Sequence, residues 1–312
     1  MSNEPRKHHY VQQSYLKRFE YPTSGKEPKI AMYIKEQPLS PPKIVSIKEA
    51  ACKKDLHTIK IKNGEDRRLV EEILSDLENQ LITNIRNILK NKTILDENKI
   101  GLAMMILLMK SRVPQNLNAM HNHFKSTLET IAELNFSKNP MDLKGTFKDH
   151  FKLVLHNNLP IYAMLSSVYN KKAIEIICAM NFSLLRTHDE YFICSDAPVS
   201  YFCPNHDGVR GVGLLHSELE IFLPIDKNLG ILCSHKPINS HKNLSSDETN
   251  EYNRRTIITS EKYIFSSDVS PSINQLIMSN KNNFSGIKYQ ECNTPNGKLQ
   301  MTSFIPVTNI QR

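Results

Sequence analysis

The sequence predicts an α+β fold: a mixed sheet formed by N-terminal and C-terminal strands around a helical middle. Three observations predict it. Apolar residues alternate at period two over residues 29–35 and 56–62. From about residue 66 to 186 they recur every three or four positions, the period of a helix face. After His188 short apolar runs bounded by turn residues return. The first strands therefore come back to pack beside the last ones.

Each element follows in order. The run from His8 to Phe19 reads as a short docked helix, with Val11, Tyr15, Leu16 and Phe19 on one side. His9 and Gln13 are four apart, so a helix stacks imidazole on amide. Lys29–Lys35 and Leu56–Lys62 are strands, separated by a loop from Pro38 to Pro42. Asn63-Gly64 is a turn. Leu69, Ile73, Leu77, Leu81, Ile85 and Ile88 mark the buried face of a long helix from about Asp66 to Asn91. Asp96 is placed to cap a helix that ends before Pro114. The helical pattern continues to about residue 186, with breaks at Asn139-Pro140 and Leu159-Pro160. Tyr191–Cys194, Glu220–Leu223 and Gly230–Cys233 are strands, and Gly208, Gly211 and Gly213 make a loop between them. Thr249–Phe265 is a helix running into a strand. Residues 1–270 form one α+β domain, and 271–312 a C-terminal extension in which Leu299–Pro306 adds an edge strand.

Composition narrows the function classes. The 312 residues are 39% hydrophobic, with a mean hydropathy of −0.42. No apolar stretch reaches the roughly 20 residues of a membrane helix, and the N-terminus lacks a signal-peptide pattern. A cytoplasmic protein with no membrane association is expected. Six cysteines without a CxxC pair read as buried free thiols. A net charge of +8 favours polyanionic partners, nucleic acid among them. There is no HExxH, no GxSxG and no phosphate-cradling glycine loop, which argues against nucleotide-fuelled chemistry.

Six polar residues are candidates for chemistry. Asp196 follows the apolar run Tyr191–Cys194 and precedes Pro198, so it stands where a buried strand leaves the sheet, as a catalytic acid or as a turn-shaping carboxylate. His9 titrates near neutrality and suits proton transfer, with Gln13 orienting it; the alternative is a satisfied histidine under the sheet. His8 is their solvated neighbour and a substrate contact. Glu78 and Arg112 lie on adjacent helices and form either an interhelical ion pair or a site in which Arg112 holds a phosphate and Glu78 a metal. A Mg²⁺ ion would sit on Asp196 and Glu78.

The same residues carry a resemblance. His9-Tyr10-Val11-Gln12-Gln13-Ser14-Tyr15-Leu16-Lys17-Arg18-Phe19 is similar to the HYVPQFYLRRF opening of bacterial domain-of-unknown-function family 4238. Asp55-Leu56-His57, Leu77-Glu78, Ser111-Arg112-Val113-Pro114, Ser195-Asp196-Ala197-Pro198-Val199, Phe222–Asp226 and Asn253 follow in the family's order, so the resemblance runs from His8 to about Phe265. Gln12 stands for the usual proline, Ser14 for phenylalanine and Phe182 for tryptophan. The resemblance implies a bacterial protein of a family in which some members are linked to defence against bacteriophage.

Three readings of function result, one of them an enzyme such as a transferase acting on a nucleotide or protein. The first is a cytoplasmic anti-phage effector with nuclease activity on RNA or DNA, its polar centre at His9 and Asp196, its partners nucleic acid or a phage component. The second is a non-enzymatic sensor that binds a ligand or nucleic acid and uses His9, Gln13 and Asp196 to fix its fold.

Overall fold

A computed structural model describes residues 7–62, 64–66, 68–138, 145–207, 211–294 and 297–309, with the backbone alone for 290–294 and 297–301. The N-terminal part holds β1 (Lys7–His9), α1 (Gln13–Leu16, continued by a 3₁₀ turn Lys17–Phe19), β2 (Lys29–Ile34), β3 (Lys43–Ser46), β4 (Cys52–Lys54), β5 (Ile59–Ile61) and β6 (Gly64–Asp66). The helical middle is α2 (Leu69–Asn91), α3 (Asp96–Ser111), α4 (Pro114–Lys138), α5 (Phe147–His150), α6 (Asn158–Val168) and α7 (Lys171–Cys178). Then come β7 (Asn181–Arg186), β8 (Cys194–Ser195), β9 (Ser200–Phe202), β10 (Glu220–Asp226), β11 (Leu229–Ser234), β12 (His241–Asn243), α8 (Ser246–Thr259) and β13 (Tyr263–Ser266). The chain closes with α9 (Pro271–Asn280) and a hairpin of β14 (Gly286–Thr294) and β15 (Gly297–Ile305).

Two sheets carry the fold. One has the order β12-β7-β11-β10-β9, mixed because β12 runs parallel to β7. The other, β3-β2-β13-β8, joins strands from both ends of the chain: Met32 pairs with Phe265, and Phe265 with Cys194. The α+β architecture is therefore as the sequence predicts. Tyr15 pins α1 to the larger sheet, its hydroxyl donating to the Pro224 carbonyl at 2.6 Å. Among the described residues no helix is long and apolar enough to cross a membrane.

Several elements differ from the sequence reading. His9 and Gln13 do not share a helix. His9 ends β1, paired with Cys52 of β4, and Gln13 starts α1, because the intervening backbone is drawn into pairing, with the Tyr10 N–H on the Ala51 carbonyl at 3.0 Å. The helical middle ends earlier than 186, since β7 begins at Asn181. Residues Phe182 to Leu185 are buried on both faces of a central strand, which erases the alternation that marks a half-exposed one. Asp96 is the first residue of α3 and pairs with Lys99; the Leu95 N–H is satisfied instead by Asn98 Oδ1 at 3.0 Å. Asn63, Asn139-Pro140, Gly208 and the Cys292 side chain lie outside the described residues. The five described cysteines are free, three of them buried.

The long helix shows how a face drifts. Leu77, Leu81, Ile85 and Ile88 are buried as expected, but Leu69 and Ile73 are exposed, and Val70, Leu74 and Ile82 take the core positions. A step of four at every turn runs ahead of the true 3.6-residue repeat, so the first two predicted positions slip off the buried face. Leu77→Ala should cost about 2–5 kcal/mol in chemical denaturation, the range for a buried leucine. Leu69→Ala, on the exposed edge, should stay within about 0.5 kcal/mol of the parent. Equal losses for both would show that the face is misassigned.

Candidate functional site

The polar candidates separate into two centres. The first gathers at β1, the turn before β5, and the first turns of α2. Ala51 and Asp55 bracket β4 in the left-handed region, with φ of 48° and 54°, and turn the chain back on β1. The His57 N–H then donates to His8 Nδ1 at 2.8 Å. The two imidazoles stack nearly parallel, 8° between planes and 5.6 Å between centres. Both are fully buried, so His8 is not the solvated neighbour the sequence suggests.

His57 also meets Glu71, from the first turn of α2, with Nδ1 and Oε1 2.5 Å apart. Burial drives the His57 imidazole down to about 4, against the pull of Glu71. Burial pushes Glu71 the other way, but its bond to His57 and the neighbouring positive groups hold it below the usual carboxylate range. The pair at neutral pH is therefore a neutral imidazole donating Nδ1–H to a carboxylate. His57 Nε2 is buried and has no hydrogen-bond partner among the described residues. One ligand atom from each of His8, His57 and Glu71 lies within 4.8 Å of the others. Two imidazoles and a carboxylate are a donor set that zinc and similar divalent transition metals accept, and such an ion would exchange for the proton the pair shares.

Arg112 braces this centre from the end of α3. Its guanidinium is buried and donates to Glu78 Oε1 and to the His9 main-chain oxygen. Glu78 lies two helical turns beyond Glu71, on the same face of α2. Arg112 is thus enclosed by the protein and does not present a fork to a substrate, and Glu78 is its counter-ion rather than a metal ligand. His9 stands at the half-exposed rim. Its Nε2 lies 3.1 Å from the Lys48 carbonyl, an acceptor, so Nε2 carries the proton and Nδ1 the lone pair. Burial lowers the pKa of His9, which keeps the ring neutral near pH 7. Gln13 is half-buried on α1.

The second centre is Asp196, just beyond β8. Its carboxylate accepts from three consecutive main-chain N–H groups, Glu261 at 2.9 Å, Lys262 at 2.7 Å and Tyr263 at 2.8 Å, while its own N–H donates to the Tyr263 carbonyl. Burial pushes the carboxyl up to about 6, and the three N–H groups pull it back. Lys35 sits close by, its ammonium on the carbonyls of Ile258 and Ser260 at the end of α8. Asn253 completes the corner, clamping Ile193 N–H and Tyr191 C=O with its amide. The oxygens of Asp196 are thus committed to the backbone, and it joins no group of three metal-capable side chains among the described residues. Among the described residues no hydrogen bond or ion pair joins Asp196 to His9 or to Glu78, the pairs expected as catalytic centre and metal site: the charge of Asp196 acts on the neighbouring Tyr10, whereas Glu71, Glu78 and Arg112 act on His9.

Sequence reasoning missed His57 and Glu71 as site residues. A signal existed: Glu71 and Glu78 are seven apart, so one face of α2 carries both acids.

Residues 7–270, most of the chain, match the family described as "Protein of unknown function (DUF4238)". No curated protein and no solved structure matches the chain.

Asp196→Ala leaves three buried N–H groups without their acceptor and should lower unfolding free energy by at least about 3 kcal/mol. Asp196→Asn, which keeps one acceptor oxygen, should fall between the two. Urea denaturation that leaves Asp196→Ala indistinguishable from the parent would remove the anchor role.

Proposed function

The chain belongs to the DUF4238 family, and on that premise we propose that it is a cytoplasmic bacterial effector against bacteriophage that hydrolyses phosphodiester bonds of RNA or DNA. The observation that carries this reading is the convergence of His8, His57 and Glu71 within 4.8 Å beneath the half-exposed His9. The donor set, with two imidazoles, favours Zn²⁺ over Mg²⁺, which prefers oxygen ligands. His8, His57 and Glu71 would hold such an ion, whose chemistry there would be to acidify a water at neutral pH. His9 takes up the proton at Nδ1, the nitrogen that Lys48 leaves with its lone pair. Arg112 holds the His9 backbone and Glu78 in place and is a positioning residue. Nucleic acid is the substrate class supported by the net charge of +8, and the defence setting rests on the family resemblance.

One observation favours a second reading. His8 and His57 have no exposed surface, as suits a sensor in which the cluster fixes the fold around a ligand or nucleic acid.

Metal content and cleavage separate the two. The purified chain equilibrated with Zn²⁺ should retain about one ion, as measured by plasma mass spectrometry, and lose it in His57→Ala and Glu71→Gln. Cleavage of single-stranded RNA or DNA should fall at least about 100-fold on chelation and in His9→Ala, and host protection in phage plating should fall with it. A chain that holds no ion overturns the metal centre. Ion binding without cleavage, with His9→Ala still protective, supports the sensor.

A further inference from the structure

A separate cleft of about 420 Å³ opens between α3, the start of α4 and the β14–β15 hairpin. We propose that it binds a small amphipathic carboxylate, an apolar body bearing one acid group and a neighbouring hydroxyl or N–H, with Lys110 as the counter-charge. The site lies apart from the His57 centre and stands independently of the reading above.

Lys110 is the reason. Its Nζ lies 4.1 Å from the centre of the Phe304 ring and 4.8 Å from that of Tyr201. Among the described residues its ammonium donates to the Val199 carbonyl alone, at 3.5 Å, the outer limit of a hydrogen bond. Among the described residues no carboxylate pairs with it. Burial, with nothing opposing it, draws the ammonium down to about 7. Ring faces compensate a cation only in part, so this charge sits against apolar walls without a counter-ion.

Two more polar atoms in the same cleft lack partners among the described residues. Asn116 is buried; its Nδ2 donates to the Lys110 carbonyl, while Oδ1 accepts from nothing. Ser303 Oγ also has no partner. A cation, a hydroxyl and an amide oxygen left unsatisfied around one cavity form a consistent recognition set. A carboxylate takes donors from Lys110 and Ser303, and a hydroxyl or N–H beside it donates to Asn116 Oδ1. The remaining walls, Leu107, Met120, Leu214, Ile287 and the two rings, suit an aliphatic or aromatic body. A phosphate fits less well: one cation would leave its second charge desolvated.

Calorimetric titration of the purified full chain with octanoate, 3-hydroxyoctanoate and octan-1-ol tests the assignment. Both acids should bind, the hydroxy acid more tightly. Lys110→Met should weaken both by about tenfold or more and leave the alcohol unchanged. Thr302→Trp, placed at the exposed rim, should block all three while retaining Lys110. A thermal melt on each variant distinguishes lost binding from lost fold, and the rim variant carries the test if Lys110→Met unfolds. Parent protein that binds neither acid at about 10 mM overturns the proposal, as does a folded Lys110→Met with parental affinity.

Discussion

A guanidinium sealed from water constrains much of this molecule. Burying the Arg112 guanidinium at the end of α3 demands a counter-charge and further acceptors on the spot. Glu78 of α2 supplies the first and the His9 main-chain oxygen one of the second. That requirement fixes α2 against α3 and draws β1 onto both. Once β1 is held there, His8 meets His57, and α2 brings Glu71 to the same place. The histidine–carboxylate centre is thus a consequence of how one cation is neutralised.

Asp196 solves the opposite problem beyond β8. A carboxylate beyond a two-residue strand gathers three successive N–H groups where α8 gives way to β13. Glu261 and Lys262 lie between α8 and β13 and Tyr263 opens β13, so these N–H groups fall where the helix has stopped supplying acceptors and the strand is only beginning. Lys35 performs the complementary task, donating to the last carbonyls of α8. One buried anion and one buried cation therefore close the two open ends of a single corner. A strand-end acid has the same sequence appearance whether it serves substrate or scaffold, and here its bonds go to scaffold.

Hydrophobic pattern made much of the fold legible. The α+β class, the long helix ending at Asn91, the strand at Lys29–Ile34 and the docked N-terminal run all follow from residue spacing. The reading failed where tertiary context overrode spacing. β7 is buried on both faces and shows no alternation, and Tyr191–Ile193 is held by the Asn253 amide and the Lys227 carbonyl instead of by a strand partner. Leu69 and Ile73 show a smaller failure, in which the apolar pattern was right and its phase was not.

By itself the sequence determined which residues were candidates for chemistry: the two N-terminal histidines, Gln13, Glu78 of α2, Arg112 and Asp196. Only the tertiary structure decided how they are grouped. Periodicity is a local property, set by side chains three or four positions apart. The partnership of His57 with His8, of Arg112 with His9, and of Asp196 with residues 261–263 joins segments far apart in the chain. Such pairings are chosen by which buried charges must be satisfied when the layers close, and that is decided by packing in three dimensions.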